Sequence, residues 1–268
     1  GLLDAERSTR ISSFLRRAGL TLRRRSHRPH PASFAELRAA HDDDYLERLQ
    51  HPGALTSVVG FAISDRAEQE LLAVQREMTG GTLLATRLAR AWGGVAVNLG
   101  GGFHHAHRDR GAGFCILNDV AVAIRAQRTQ GFDRRILVVD LDLHDGDGTR
   151  SIFADDPTVH TFSIHNQNWD DRPAIEATVL ALGPEIDDAH YLAALSGALP
   201  ALFDRFLPEL VIYLCGADPA SDDALGDWRV SAAGMLARDR AVTDLLRHRR
   251  VPLVVPMAGG YGDNSWRY

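Results

Sequence analysis

Cysteine is scarce in this 268-residue chain, which has only Cys115 and Cys215. Two thiols in apolar surroundings exclude a disulfide scaffold and suit a reducing compartment. Long apolar runs are missing too. No stretch approaches the ~18 uninterrupted apolar residues that a membrane span requires. The first residues carry no signal-like hydrophobic region, so the cytoplasm is the expected location. Nor is there a surplus of positive charge. Thirty Lys and Arg against 35 Asp and Glu give a net charge of −5, which leaves nothing to neutralise phosphates and argues against nucleic acid as a partner. The one basic run, Arg23 to His30, reads as a solvated loop. Repeats, low-complexity tracts and linkers are not found. With this length, their lack favours one large domain over residues 1–268.

What is present is a regular alternation of element signals. Ser33 to Gln50 carries apolar residues mostly at helical spacing, and Ala67 to Trp92 forms a longer amphipathic stretch that Gly80-Gly81 should bend or split. Short apolar runs follow, separated by helical patterns. Val95–Leu99 reads as a buried strand breaking into Gly100-Gly101-Gly102, and Asn118–Gln130 as a helix. Ile136–Val139 and Thr158–Ile164 read as strands, Asp188–Phe206 as a helix and Leu210–Leu214 as a strand. A helix over Ala232–His248 and a strand over Pro252–Pro256 complete the pattern. Strands without polar alternation between amphipathic helices predict an α/β fold: a central, mainly parallel sheet covered on both faces. In such folds ligands gather at the carboxyl ends of the strands, which is where the chemistry-bearing residues of this chain fall.

Asp140, Asp142 and His144 come first. At spacing two on extended backbone, all three would share one face. Buried carboxylates are costly unless a cation compensates them. Asp218 follows another apolar strand and precedes a proline. Two aspartates and a histidine with an open position suit a catalytic zinc that keeps a water, although Fe(II) or Co(II) would also be tolerated. His104 and His105 follow the glycine turn, where a ligand can approach the backbone closely. Asp147, and Asp140 if it is not itself a metal ligand, could each orient one imidazole for acid–base work. Tyr261 follows Gly259-Gly260 just past the last strand, where its phenol could stabilise an oxyanion.

Together, Gly100-Gly-Gly-Phe-His-His-Ala106, Gly113-Phe-Cys-Ile-Leu-Asn-Asp119, Asp140-Leu-Asp-Leu-His-Asp-Gly-Asp-Gly148 and Gly259-Gly-Tyr261 resemble the histone deacetylase and acetylpolyamine amidohydrolase family, of arginase-deacetylase fold. The likeness runs from about His41 to Tyr268. Thr79 to Thr82, Asp109 to Cys115 and Ser231 to Gly234 are most similar to its class IV and bacterial branch. The resemblance implies zinc on Asp142, His144 and Asp218, with His104 paired to Asp140 and His105 to Asp147. It makes His105 the general base, assigns the carbonyl oxygen to Tyr261, and lines a substrate channel with Gly113, Phe114 and Gly260. A structural potassium is implied near Asp140, Asp142, His144, Ser163 and Ile164.

Three departures stand out. Asp145 occupies a position where many relatives have histidine, which adds negative charge beside the ligands. The second aromatic wall of the channel is not evident, and Trp169 is the one candidate for it. Both chain ends look short beside the family.

The implied activity is hydrolysis of N-acyl-lysine. Acetylpolyamines or other small N-acyl amines are the alternative substrates, for which Asp42–Asp44, Asp170-Asp171 and Asp222-Asp223 offer acidic residues. An arginase-like dinuclear hydrolase would need more metal-binding aspartates. A non-catalytic acyl-lysine binding module would be expected to lack a catalytic group, and none is lacking.

Overall fold

The computed structural model describes residue 4 and residues 6–21 and 25–268. Arg23 and Arg24 of the basic run lie outside the described residues, and Arg25 to His30 is mostly exposed, as a solvated loop should be. Six parallel strands form one sheet: β1 (Val95–Asn98), β2 (Ile136–Asp140), β3 (Val159–His165), β4 (Ala177–Ala181), β5 (Leu210–Leu214) and β6 (Leu253–Pro256), in the order β1-β6-β5-β2-β3-β4. The described helices are α1 (Arg7–Arg17), α2 (Phe34–Leu37), α3 (Asp43–Arg48), α4 (Thr56–Val59), α5 (Asp65–Trp92), α6 (Asp119–Thr129), α7 (Asp147–Ile152), α8 (Asp188–Phe206) and α9 (Ala232–Arg249). No described helix is long and apolar enough to cross a membrane.

The central strands bury both faces, and the period-two alternation divides their side chains between two cores. Ile136, Val138, Ile212 and Leu214 pack with α5 and α6 on one side. Leu137, Val139, Val211 and Tyr213 pack with α8 and α9 on the other. After β4 the chain returns to the far side of β2, so the order reverses between β2 and β5. That crevice is where an open parallel sheet leaves room for a ligand.

Three expectations about elements need correction. The β1 strand is not buried: it forms the sheet edge, with Val95 62% and Val97 56% exposed. The Ser33–Gln50 region is two helices rather than one. Ser33 and Glu36 close a capping box on α2, but the chain turns at Ala39–His41 so that the His41 ring enters the core and accepts the Asn118 N–H at 2.9 Å. Gly80-Gly81 neither bend nor split α5, which is continuous. They are contact points instead: a Cβ on Gly80 would lie 1.8 Å from the His30 carbonyl oxygen, and one on Gly81 2.3 Å from the Asn98 side chain.

Gly80→Ala should therefore destabilise the fold by about 1–3 kcal/mol, the usual range for overpacking. Gly197→Ala in α8, where a Cβ meets nothing within 4 Å, should be neutral or stabilise by up to ~1 kcal/mol. Urea unfolding of the two variants checks the contrast. Burial holds His41 down at about 4 from its usual 6.5. Between those values the unfolded chain binds the proton that the folded state refuses. The stabilisation is thus complete above pH 6.5 and is lost as pH falls towards 4, by on the order of 3 kcal/mol. Urea midpoints across that range should fall less steeply for His41→Gln than for the parent, and equal slopes would remove His41 as the cause.

Candidate active site

Four strand ends deliver the side chains. Past β1, Gly101 and Gly102 adopt left-handed backbone with φ of 75° and 83°, a conformation that favours glycine. The turn points the N–H groups of Gly102 and Phe103 at the Asp119 carboxylate, 3.0 and 2.7 Å away. A Cβ on Gly101 would sit 2.3 Å from an Asp119 oxygen. Asp119 is fully buried in the first turn of α6 and fixes the loop that presents His104 and His105.

The two imidazoles lie 4.1 Å apart, centroid to centroid. The His104 Nδ1–H donates to Asp140 at 2.7 Å, and the His105 Nδ1–H donates to Asp147 at 2.8 Å. An ionised carboxylate only accepts, so each Nδ1 carries a proton and each Nε2 is turned away from these partners. The other Asp147 oxygen lies 3.0 Å from Nε2 of His107, a buried residue whose Nδ1 meets the Ser151 hydroxyl at 3.0 Å. The two rings titrate in opposite directions. Burial works against charge on His104, but Asp140 and Asp142 outweigh it and raise the ring to about 10. Burial and then the neighbouring His104 lower His105 to about 4, despite Asp147.

Strand β2 ends at Asp140, so Asp142 and His144 stand on a bent segment and not on the strand as expected. The alternation survives the bend, however. Leu141 and Leu143 are fully buried in the core, while Asp142 and His144 meet Asp218 from the loop after β5. One ligand atom from each of the three lies within 4.8 Å of the others. The His144 Nδ1 is 3.2 Å from Asp142 and 3.0 Å from Asp218. Burial opposes charge on His144, yet the two carboxylates raise it to about 11. Burial and then Asp142 push Asp218 up. Two buried carboxylates therefore converge on one imidazole nitrogen in a field that demands positive charge, which fits a divalent cation. Backbone approaches them from behind. The Gly259 N–H donates to Asp142 at 2.7 Å, and a Cβ on Gly259 would lie 2.5 Å from both carboxylates.

Tyr261 follows β6. Its backbone N–H and that of Gly262 donate to one Asp223 oxygen at 2.6 and 3.1 Å, while the other Asp223 oxygen takes the N–H groups of Leu225 and Gly226. Asp223 is thus committed to two loops and is not a free acidic rim residue. Asp222 is similarly held by Asn264 and Tyr268. Asp42 pairs with Arg108 and Asp43 with Arg38, and the Asp42–Asp44 cluster lines a different recess with Tyr45, Arg48 and Asp109. Burial raises the Tyr261 phenol and keeps it protonated. Its ring lies 6.4 Å from that of His144 and 6.2 Å from that of Phe114.

Phe114 has a left-handed φ of 65°. Such strain in a non-glycine residue needs external support. The Gln75 amide donates to the Phe114 carbonyl at 2.6 Å and accepts from Ile116 and Leu117, while the Phe114 N–H donates to Val58. A Cβ on Gly113 would lie 2.4 Å from the His105 ring. Gly260 has a φ of 141° and little space, for its Cβ would meet Ala217 at 2.9 Å. Trp169 stacks flat on His105, with centroids 4.0 Å apart at 7°, and meets His144 edge-on at 5.7 Å.

Behind these groups, a cavity of about 450 Å³ runs between α5 and the β1 and β6 loops. Val59, Leu71, Val74, Met78 and Met257 are among its apolar lining, and His105, Asp142 and Tyr261 border it as well. Arg7 reaches in from α1 and donates to the carbonyls of Ala258 and Gly259, both at 2.9 Å. No sequence signal pointed to Arg7, to Gln75 or to the second role of Asp147. Asp145 does not add its charge to the ligand cluster, because it is buried in an ion pair with Arg150. Ser163 pairs in register with Asp140 at the ends of β3 and β2, and its hydroxyl lies 2.7 Å from His165 Nδ1.

A histone deacetylase domain matches residues 2–268. An uncharacterised protein of Picosynechococcus is 38% identical over 232 residues, covering 83% of this chain and 77% of that protein. Histone deacetylase 2 of Arabidopsis thaliana is 32% identical over 276 residues, covering 98% and 70%. The crystal structure of a histone deacetylase homologue from Aquifex aeolicus superposes with a TM-score of 0.81 at 25% identity, over 96% of this chain and 73% of that one. That agreement extends to the single open parallel sheet of the arginase/deacetylase fold, so this chain belongs to the histone deacetylase family, a family of hydrolytic deacetylases.

Proposed function

We propose that the chain is a zinc-dependent amidohydrolase that removes an acyl group from N-acyl-lysine, with residues 1–268 acting as one catalytic unit. The observation that carries this reading is the triangle of Asp142, His144 and Asp218, with the rings of His105 and Tyr261 6.0 and 6.4 Å from that of His144. Zinc on those three residues supplies a Lewis acid and brings the pKa of water towards ~7. His105, with Nδ1 tied to Asp147, takes the proton of the attacking water on Nε2. Tyr261 donates its O–H to the carbonyl oxygen as negative charge develops there. His104, held at Nδ1 by Asp140, supplies in its protonated form the proton by which the amine leaves. Phe114, Gly113 and Gly260 border the passage for the acylated stem, with Trp169 as the second aromatic wall. Asp140, Asp142, His144, Ser163 and Ile164 remain the proposed potassium site, on the strength of the Asp140–Ser163 register.

Commitment of Asp42, Asp43, Asp222 and Asp223 to internal partners weighs against an acidic polyamine rim. The apolar residues lining the cavity favour acyl groups larger than acetyl. The two free thiols suit the cytoplasm.

Hydrolysis of acetyl-lysine peptide, long-chain acyl-lysine peptide and acetylated polyamine should show turnover of at least one acyl-lysine peptide. Tyr261→Phe should reduce kcat by on the order of 10²–10³, as expected for one oxyanion donor, while retaining metal. Turnover of acetylated polyamine alone would transfer the reading to small amines, and an undiminished Tyr261→Phe would remove the phenol from the reaction. Asp218→Ala should purify with zinc well below one equivalent by atomic absorption. Full loading would strike Asp218 from the ligand set.

A further inference from the structure

Asp145 and Arg150 form a fully enclosed ion pair just behind His144. Asp145 is 0% and Arg150 5% exposed. The guanidinium grips both carboxylate oxygens, with Nη2 2.9 Å from Oδ2 and Nη1 in contact with Oδ1. Arg150 holds Asp145 below the usual carboxylate range even though burial works the other way. A buried pair of this kind gives little stability compared with an apolar pair of similar volume, so what else it binds matters.

Both members bind the same external segment. Asp145 Oδ2 accepts the backbone N–H of Trp169 at 3.1 Å, and Arg150 Nη2 donates to the carbonyl of Asp170 at 2.5 Å. His165 Nε2 meets Asn168 Oδ1 at 2.9 Å, and backbone bonds of Asn166 with Leu143 and Gly183 secure the start of the same loop. Residues 166–171 contain no helix or strand of their own, and Trp169 is 43% exposed. Its flat contact with His105 is therefore not imposed by a core around the indole.

We propose that the Asp145–Arg150 pair is a positioning element for the entrance: it fixes the 166–171 loop so that Trp169 covers His105 and walls the approach to it. Neither charged residue touches the reacting atoms, and both act through Trp169. The inference rests on the deacylase reading for its kinetic consequence, while its structural half stands apart from that reading.

A double-mutant cycle tests it. Arg150→Met and Trp169→Ala should each raise KM for an acyl-lysine peptide, with kcat/KM falling by about tenfold or more. The combined variant should be no worse than the worse single variant. Losses that multiply would show that Arg150 acts elsewhere and would overturn the proposal. Hydrogen exchange is the arm that does not depend on turnover. Arg150→Met should speed exchange of residues 166–171 while the β2 and β5 strands keep their protection. Unchanged loop exchange would overturn the proposal even if activity fell. Should Arg150→Met fail to fold, Asp145→Asn/Arg150→Gln, which buries no lone charge, takes its place in both arms. If the parent protein hydrolyses none of the substrates, faster loop exchange still supports the strap, and only the deacylase reading falls.

Discussion

The constraint on which the rest of the structure depends is the burial of three carboxylates at one corner of the sheet. Asp140, Asp142 and Asp218 are each at most 3% exposed. Apolar surroundings alone would neutralise them or expel them. Their charge is answered from several directions. His104 faces Asp140, and His144 faces Asp142 and Asp218. The backbone N–H of Leu143 donates to Asp218, and those of His144 and Gly259 donate to the two oxygens of Asp142. Arg238, the largest fully buried side chain among the described residues, lies on the core side and donates to the carbonyls of Gly216 and Leu141 at 2.6 and 3.3 Å. It takes up main-chain oxygens next to the two loops, and Asp239 balances its own charge. Each loop is held at a carbonyl from behind and at a carboxylate in front, so little freedom remains in where the carboxylates point.

The glycines follow from the same constraint. For main-chain N–H groups to serve as partners, backbone must come within hydrogen-bonding distance of a carboxylate, and a side chain would stand in the way. At Gly101, Gly216 and Gly259, an added Cβ would lie 2.3–2.6 Å from a carboxylate oxygen of Asp119, Asp142 or Asp218. The glycine runs beside the histidines and the tyrosine thus let backbone N–H groups approach buried carboxylates, Asp119 in one case and Asp142 in the other. Gly80 and Gly81 play the equivalent part in packing, since they bring α5 against the His30 backbone and the Asn98 side chain.

This accounts for which parts were legible in the sequence. β2 and β5 were legible because both faces are buried and their apolar runs are unbroken. β1 carries the same kind of run, and nothing local separates a central strand from an edge strand, which depends on what pairs alongside. β4 was missed because Ala177–Ala181 is half-exposed and ordinary in composition. The site residues were legible because glycines and strand ends mark them. Their partners were less so. Asp223 looks like one of several surface acids until its carboxylate is seen to hold the tyrosine loop. Asp145 looks like a liability until Arg150, five residues on and outside the usual helical spacing, is seen to close on it. Charge alone did not reveal either role, because it depends on loops that meet only in three dimensions.

His104 and His105 show the limit of residue type as a guide. They are adjacent, and each donates Nδ1–H to an aspartate. Nevertheless the fold separates them electrically. His104 has Asp140 at Nδ1 and Asp142 3.6 Å from Nε2, so its ring lies between two carboxylates. His105 has one carboxylate, shared with His107, and its ring is covered by the Trp169 indole beside a charged neighbour. A second anion favours the proton on one ring, while a nearby cation and an apolar cover disfavour it on the other. Pairs of titratable groups pushed apart by their surroundings are how a site holds an acid and a base at one pH. In the proposed reaction the base is the ring with the aromatic cover, and the acid is the one between the two carboxylates. The carboxylate cluster that offers a cation its ligands therefore also sets one imidazole apart from its neighbour.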